Sequence, residues 1–121
     1  MRKRSILFFL LFPVLSSFLL ANKTTVALVG PEAVAAGTEV TITVNVSHKG
    51  NSAFHYTNWV WVKADGKEIV RWEFTASRRP ESADFSREVK YTVSGPVELT
   101  AQGNCVLHGG HEPAVLNIGV K

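Results

Sequence analysis

Along most of this chain, apolar and polar residues alternate one by one in short runs. The clearest run is TEVTITVNV (38–46), with Val40, Ile42, Val44 and Val46 on one face and Thr41, Thr43 and Asn45 on the other. Period two carried by β-branched side chains predicts a half-buried strand. YTNWVWVKA (56–64) and EIVRWEFTA (68–76) flank Asp65-Gly66, a dipeptide that suits a hairpin turn because both positions tolerate φ > 0. Further strands are expected at TTVALVG (24–30), REVKYTVS (87–94), VELTAQ (97–102) and AVLNIGV (114–120), the middle pair separated by Gly95-Pro96. ASRRPESAD (76–84) reads as a polar loop, with Arg78 and Arg79 as solvated charges. No segment shows helical periodicity. About seven short strands with turns between them predict an all-β fold, an immunoglobulin-like antiparallel β-sandwich.

The first 21 residues break this pattern. Arg2, Lys3 and Arg4 precede an apolar run from Ile6 to Leu20, interrupted only by Pro13, Ser16 and Ser17. A basic start followed by an apolar stretch predicts a secretory signal peptide over residues 1–21, with Ala21 the last residue before cleavage. The protein is then expected to be periplasmic or secreted. Leu19 stands where a small residue is preferred before the cut, so an uncleaved anchor is the competing reading, and that segment is the one membrane contact foreseen. Removing residues 1–21 takes three of the 13 Lys+Arg and none of the 10 Asp+Glu, leaving 10 against 10 over 121 − 21 = 100 residues. Residues 22–121 suffice for one domain. The basic balance belongs to the leader and gives no reason to expect a nucleic-acid partner.

Chemistry concentrates in GNCVLHGGHEP (103–113), which holds the only cysteine and two of the four histidines. One cysteine cannot form an internal bridge, and a lone thiol in an oxidising compartment is a liability unless it is buried or held by a metal. Cys105 and His108 are expected in a loop between the last two strands, where Gly109 and Gly110 allow the positive φ of a tight turn. His48 shares the parity of Val40 to Val46 and so leaves its strand pointing inward or along the rim. His55 opens the next strand after a short loop. Sandwich loops cluster at two ends, so these two loops can face each other, and thiolate with imidazoles is a ligand set for zinc, iron or copper. His111 reads as an exposed loop residue.

These residues resemble the iron-binding domain of desulfoferrodoxins and superoxide reductases. VSHKGNSAFHYTNWVWVKADGK (46–67) is similar to the family's two-histidine segment running into an Asp-Gly turn, and GNCVLHGGHEPAVL (103–116) to its Cys-Asn-x-His-Gly loop and following strand. The resemblance covers most of residues 40–121 and implies a desulfoferrodoxin-like domain over 22–121. It implies a mononuclear non-haem iron (Fe2+/Fe3+) held by four equatorial histidines and an axial thiolate, with the sixth position open to superoxide. His48 and His55 match the first motif's histidines, Cys105 the axial thiolate, and His108 the histidine of the loop. One electron and two protons would turn superoxide into hydrogen peroxide, with an unidentified electron donor as partner.

The sequence departs from the family pattern in three places. LVGPEAVAAG (28–37) contains no histidine where the family has its remaining one, and the family's Glu and Lys are absent with it. His48 and His55 are seven apart rather than six, and Lys49 replaces the usual proline. The site is then three histidines and the cysteine, or is completed by His111, Glu32 or a water. Lys49 is the candidate for the missing lysine that steers substrate. Two other functions stand beside this one. A cupredoxin also uses His and Cys-x-x-His, but Met1 is the only methionine and Asn104 precedes the cysteine, where blue-copper sites usually add an axial methionine. A non-catalytic metal-binding accessory module would need only the sandwich and a degenerate site. A second, rubredoxin-like centre would need four cysteines.

Overall fold

The strands form where side chains alternate. A computed structural model describes residues 22–121; the expected leader, 1–21, lies outside the described residues. Eight strands run in order: β1 Thr25–Val29, β2 Ala33–Val34, β3 Thr38–Ser47, β4 Thr57–Ala64, β5 Lys67–Glu73, β6 Phe85–Val93, β7 Val97–Cys105 and β8 Ala114–Val120. They make two sheets, ordered β1-β3-β6 and β2-β8-β7-β4-β5. The all-β sandwich expected from the alternation is what forms. Among the described residues no helix is long and apolar enough to cross a membrane.

Two details differ from expectation. The eighth strand, β2, is only two residues long and pairs parallel with β8, so the sandwich is not wholly antiparallel. Its bonds, Gly119 N–H to Glu32 O (2.8 Å) and Lys121 N–H to Val34 O (3.0 Å), satisfy an edge of β8 that would otherwise face water. A two-residue element has too short a period to be read from sequence. The second difference bears on the chemistry. β7 runs to Cys105, three residues beyond its expected end at Gln102, with Gly103 opposite Val60 and Asn104 opposite Trp59. The glycine does not break this strand; it makes room, since a Cβ there would lie 2.5 Å from Thr24 Cγ2.

The interior is built from the inward rows of both sheets. Val26, Val44, Val46, Val60, Val62, Phe85 and Ala101 cluster in one half, and Val40, Ile42, Val93, Val97, Leu99 and Ile118 in the other. Each of these side chains larger than alanine contributes on the order of 1.5–3 kcal/mol by leaving water. The Asp65-Gly66 turn forms as expected, with φ of 46° and 81°. Asp65 also ties the hairpin to β7, its Oδ1 accepting from Glu98 N–H at 3.0 Å.

Two inward rows fix the position of the site. On β3 the row is Val40, Ile42, Val44 and Val46, and His48 continues its parity one residue past the strand, only 5% exposed. On β7 it is Val97, Leu99, Ala101, Gly103 and Cys105, the thiol 1% exposed. Each row ends in a metal-binding side chain.

Candidate metal centre

Period two brings Cys105 and His48 to one end of the core from opposite sheets. His55 arrives by a turn: Ser52 N–H donates to His55 O (2.9 Å) and His55 N–H to Ser52 O (3.1 Å). It therefore precedes β4, which begins at Thr57, rather than opening it. Gly50 makes the position possible, because a Cβ on it would collide with the His55 ring, 2.8 Å from Cε1 and closer still to Nδ1. His108 follows Cys105 in a reversal closed by Gly109, with φ of 77°. Cys105 N–H donates to Gly109 O (2.8 Å) and Gly109 N–H to Cys105 O (2.9 Å). This reversal carries the positive φ that the glycine pair suggested. Gly110 serves a different purpose, since a Cβ on it would strike the Gly103 carbonyl.

One ligand atom each from His48, His55 and Cys105 lies within 4.8 Å of the others. His108 stands against two of this trio, its Nδ1 at 3.3 Å from His55 Nε2 and 3.7 Å from Cys105 Sγ. The three imidazoles meet edge to face, with centroids 4.7 Å apart for His48 and His55 and 5.1 Å for His55 and His108. Bonds from metal to nitrogen and sulfur are about 2.0–2.3 Å, so donors on opposite sides of one ion stand roughly 4.4 Å apart. With the His48, His55 and Cys105 ligand atoms all within 4.8 Å of one another, one transition-metal ion can be reached by all three. A donor set of one buried thiol and two imidazoles, with a third imidazole, His108, alongside, suits iron, zinc or copper and is too soft for magnesium or calcium.

The surroundings orient these donors. His48 has a carbonyl oxygen at each ring nitrogen, Gly50 O 2.7 Å from Nδ1 and Asn22 O 3.0 Å from Nε2; a carbonyl only accepts, so when Nε2 ligates a metal the ring's one proton sits on Nδ1 and is donated to Gly50 O. That turns Nε2 and its lone pair inward, the usual arrangement of a ligand histidine. Asp84 Oδ1 accepts from His48 N–H at 3.2 Å. Beneath the site, the Thr24 and Thr57 hydroxyls bond each other at 2.9 Å in full burial. His55 is held below its ordinary pKa by burial first, then by the neighbouring His48 and His108; a hydrogen bond to the Asn22 main chain opposes this.

The sequence model of the desulfoferrodoxin family matches residues 20–113. The chain belongs to the desulfoferrodoxin family. Members of this family bind non-haem iron, and the His/Cys group found here fits such a metal. Among solved structures, a superoxide reductase (neelaredoxin) from Ignicoccus hospitalis is 24% identical, with 80% of each chain covered and a TM-score of 0.64. Its T24K form is also 24% identical, covering 90% of this chain and 87% of that one, with a TM-score of 0.69. The CARDB domain of a Pyrococcus furiosus protein, in complex with di-metal ions, is 17% identical, with 84% and 94% covered and a TM-score of 0.62. At these identities the neighbours establish the fold, and the last shows that the fold extends beyond one family. No curated protein matches the chain.

Of the residues the sequence singled out, His48, His55 and Cys105 come together, and His108 stands against His55 and Cys105. Lys49 is exposed beside them and borders a hollow with Lys23, His48, Asp84 and His111. His111 lies along that hollow rather than in the trio of close ligand atoms. Glu32 is ruled out as a ligand: its carbonyl bonds Gly119 beside the Val97 end of β7, a strand's length from Cys105. Cys105 closes a strand rather than lying in a loop. What the sequence reading missed were Gly50, which admits the His55 ring, and Asn22, whose carbonyl faces His48 Nε2 at 3.0 Å.

Because the folded value of His55 is depressed, the unfolded chain takes up that proton first. Stability of the metal-free protein is therefore full above about pH 6.5, the ordinary histidine value, and declines as pH falls through the folded value. Urea midpoints of metal-free protein should be level well above about pH 6.5 and fall as the pH is lowered below it. His55→Ala should flatten that decline, and a level profile in the parent protein would contradict the assignment.

Proposed function

We propose that the protein is an exported, superoxide reductase-like oxidoreductase that holds one mononuclear iron through Cys105, His48, His55 and His108. The observation that carries this reading is the convergence of a fully buried thiol with His48 and His55, their ligand atoms within 4.8 Å, in a chain of the desulfoferrodoxin family. Similarity of fold to the superoxide reductases of Ignicoccus hospitalis supports the substrate. Iron held by these residues would supply one-electron redox chemistry, by which superoxide, one electron and two protons would give hydrogen peroxide, the electron coming in the end from a separate one-electron donor.

The protein's own groups have distinct parts. Cys105 offers an electron-rich sulfur shielded from water, which favours electron donation to an oxidant. Its position at the end of β7 fixes that sulfur against the core. Gly50 O and the Ser52–His55 turn set the two imidazole planes. Lys49 and Lys23 border the open hollow beside His48, where positive charge attracts an anion from solution. Lys49, adjoining His48 and exposed, is the steering residue in this reading. A second reading, a metal-binding module without turnover, draws on LVGPEAVAAG (28–37), which has no histidine and whose Glu32 lies at the far end of the sandwich.

Three outcomes are expected. Protein purified without oxygen should contain one iron per chain, and its oxidised form should show a visible thiolate-to-iron charge-transfer band that Cys105→Ser abolishes. Stoichiometric copper with intense blue absorption would favour the cupredoxin reading instead. Export with loss of residues 1–21 rests on Arg2 to Arg4 and the apolar run; intact mass of the exported protein should begin at Asn22, and a retained N-terminus would overturn it. In pulse radiolysis, Lys49→Ala should slow the reaction with superoxide roughly threefold at low salt, since a unit charge several ångströms away in water is worth ~0.6 kcal/mol. That difference should vanish at high salt. An unchanged rate removes Lys49 from the mechanism, and a parent that binds iron without accelerating superoxide loss establishes the module.

A further inference from the structure

The N-terminal segment runs against the site. Asn22 O lies 3.0 Å from His48 Nε2, and the Asn22 main chain also hydrogen-bonds the His55 ring. Two residues later the chain is pinned. Thr24 N–H donates to Gly109 O (3.2 Å), Thr24 O accepts from His111 N–H (2.9 Å), and the Thr24 hydroxyl is paired in full burial with Thr57. From Thr25 the segment is β1, in register with β3 from Ser47 onward. Asn22 therefore has little freedom to withdraw without breaking contacts on Cys105's own loop.

His48 has a carbonyl at each ring nitrogen, Gly50 O at 2.7 Å and Asn22 O at 3.0 Å. A neutral imidazole carries one N–H. When Nε2 binds a metal, that proton lies on Nδ1 and is donated to Gly50 O, so the Nε2 lone pair and a carbonyl lone pair stand at hydrogen-bond distance with no proton between them. Two acceptors so placed repel unless the metal cation lies between them. When His48 and His55 act as metal ligands, both present lone pairs inward, and the carbonyl facing them must either share their ion or leave. Donors at right angles around an ion with bonds of about 2.1 Å stand roughly 3.0 Å apart, the separation seen here. Main-chain carbonyls are ordinary ligands of hard cations.

We propose that the main-chain carbonyl oxygen of Asn22 is a further ligand of the iron, in place of the histidine that residues 28–37 lack. The inference rests on the metal site described above and adds a donor that no side-chain motif encodes. With it, the set is one thiolate, three imidazoles and one carbonyl. It also makes β1 part of the site, so that docking of this strand and metal binding reinforce each other.

Asn22-Lys23 is the one place in the chain where asparagine is followed by lysine, and the test uses asparagine's position directly. The whole protein is produced with 13C only in asparagine carbonyls, loaded with iron and oxidised, and measured by electron–nuclear double resonance on its ferric signal. A bonded carbonyl should give an isotropic 13C coupling. Asn22→Gln keeps the main-chain oxygen but removes the label at that position, so the coupling should disappear while the ferric spectrum is unchanged. Purely dipolar 13C signals, the same in both proteins, would overturn the inference while leaving the His/Cys site standing. A ferric signal that survives Cys105→Ser unaltered would overturn both.

Discussion

The site depends on one constraint: side chains on a strand repeat every two residues, so a row that lines a core keeps its face until the strand ends. In β3 the row from Val40 to Val46 ends in His48, and in β7 the row from Val97 to Gly103 ends in Cys105. The two strands belong to different sheets. Packing those sheets over a common apolar interior therefore brings a thiol and an imidazole together without any loop needing to reach. A one-residue slip in either register would turn its donor outward, so the energy that fixes the core also fixes the centre.

What surrounds these two donors is arranged by main chain more than by side chain. Gly50, Gly103, Gly109 and Gly110 lie within a few residues of the four candidate ligands, and each has its own physical reason. Gly50 clears the His55 ring, Gly103 admits Thr24, Gly109 adopts φ of 77°, and Gly110 passes against the Gly103 carbonyl. The result is a thiol at 1% exposure beneath loops that present Phe54, Val106 and Leu107 to solvent. A buried sulfur near an open rim combines protection from oxidation with access for a small anion and for an electron donor.

Family membership and local geometry address different questions here. Membership brings non-haem iron, and the cluster of His48, His55 and Cys105 agrees with it. The departures lie where the chain lacks the family's remaining histidine. Glu32 cannot supply the missing donor, because the β2–β8 pairing holds it at the opposite end. The nearest substitute is the N-terminal segment, which runs over the site before joining β3. A donor lost from one stretch of sequence is thus balanced by backbone from another.

The alternation in TEVTITVNV determined the core strand and the inward direction of His48, and Asp65-Gly66 determined the hairpin. Cys105 was legible as chemistry but not as strand, because Gly103 and Asn104 have weak strand preferences and only pairing with Val60 and Trp59 carries β7 through them. The motifs named His55 and His108, while their meeting at 3.3 Å depends on two turns from separate loops. Parallel β2, the exclusion of Glu32 and the approach of Asn22 O were decided by tertiary structure alone. Side-chain type and period are written locally in a sequence. A main-chain carbonyl is the same at every residue, and only the path of the folded chain gives one of them a particular neighbour.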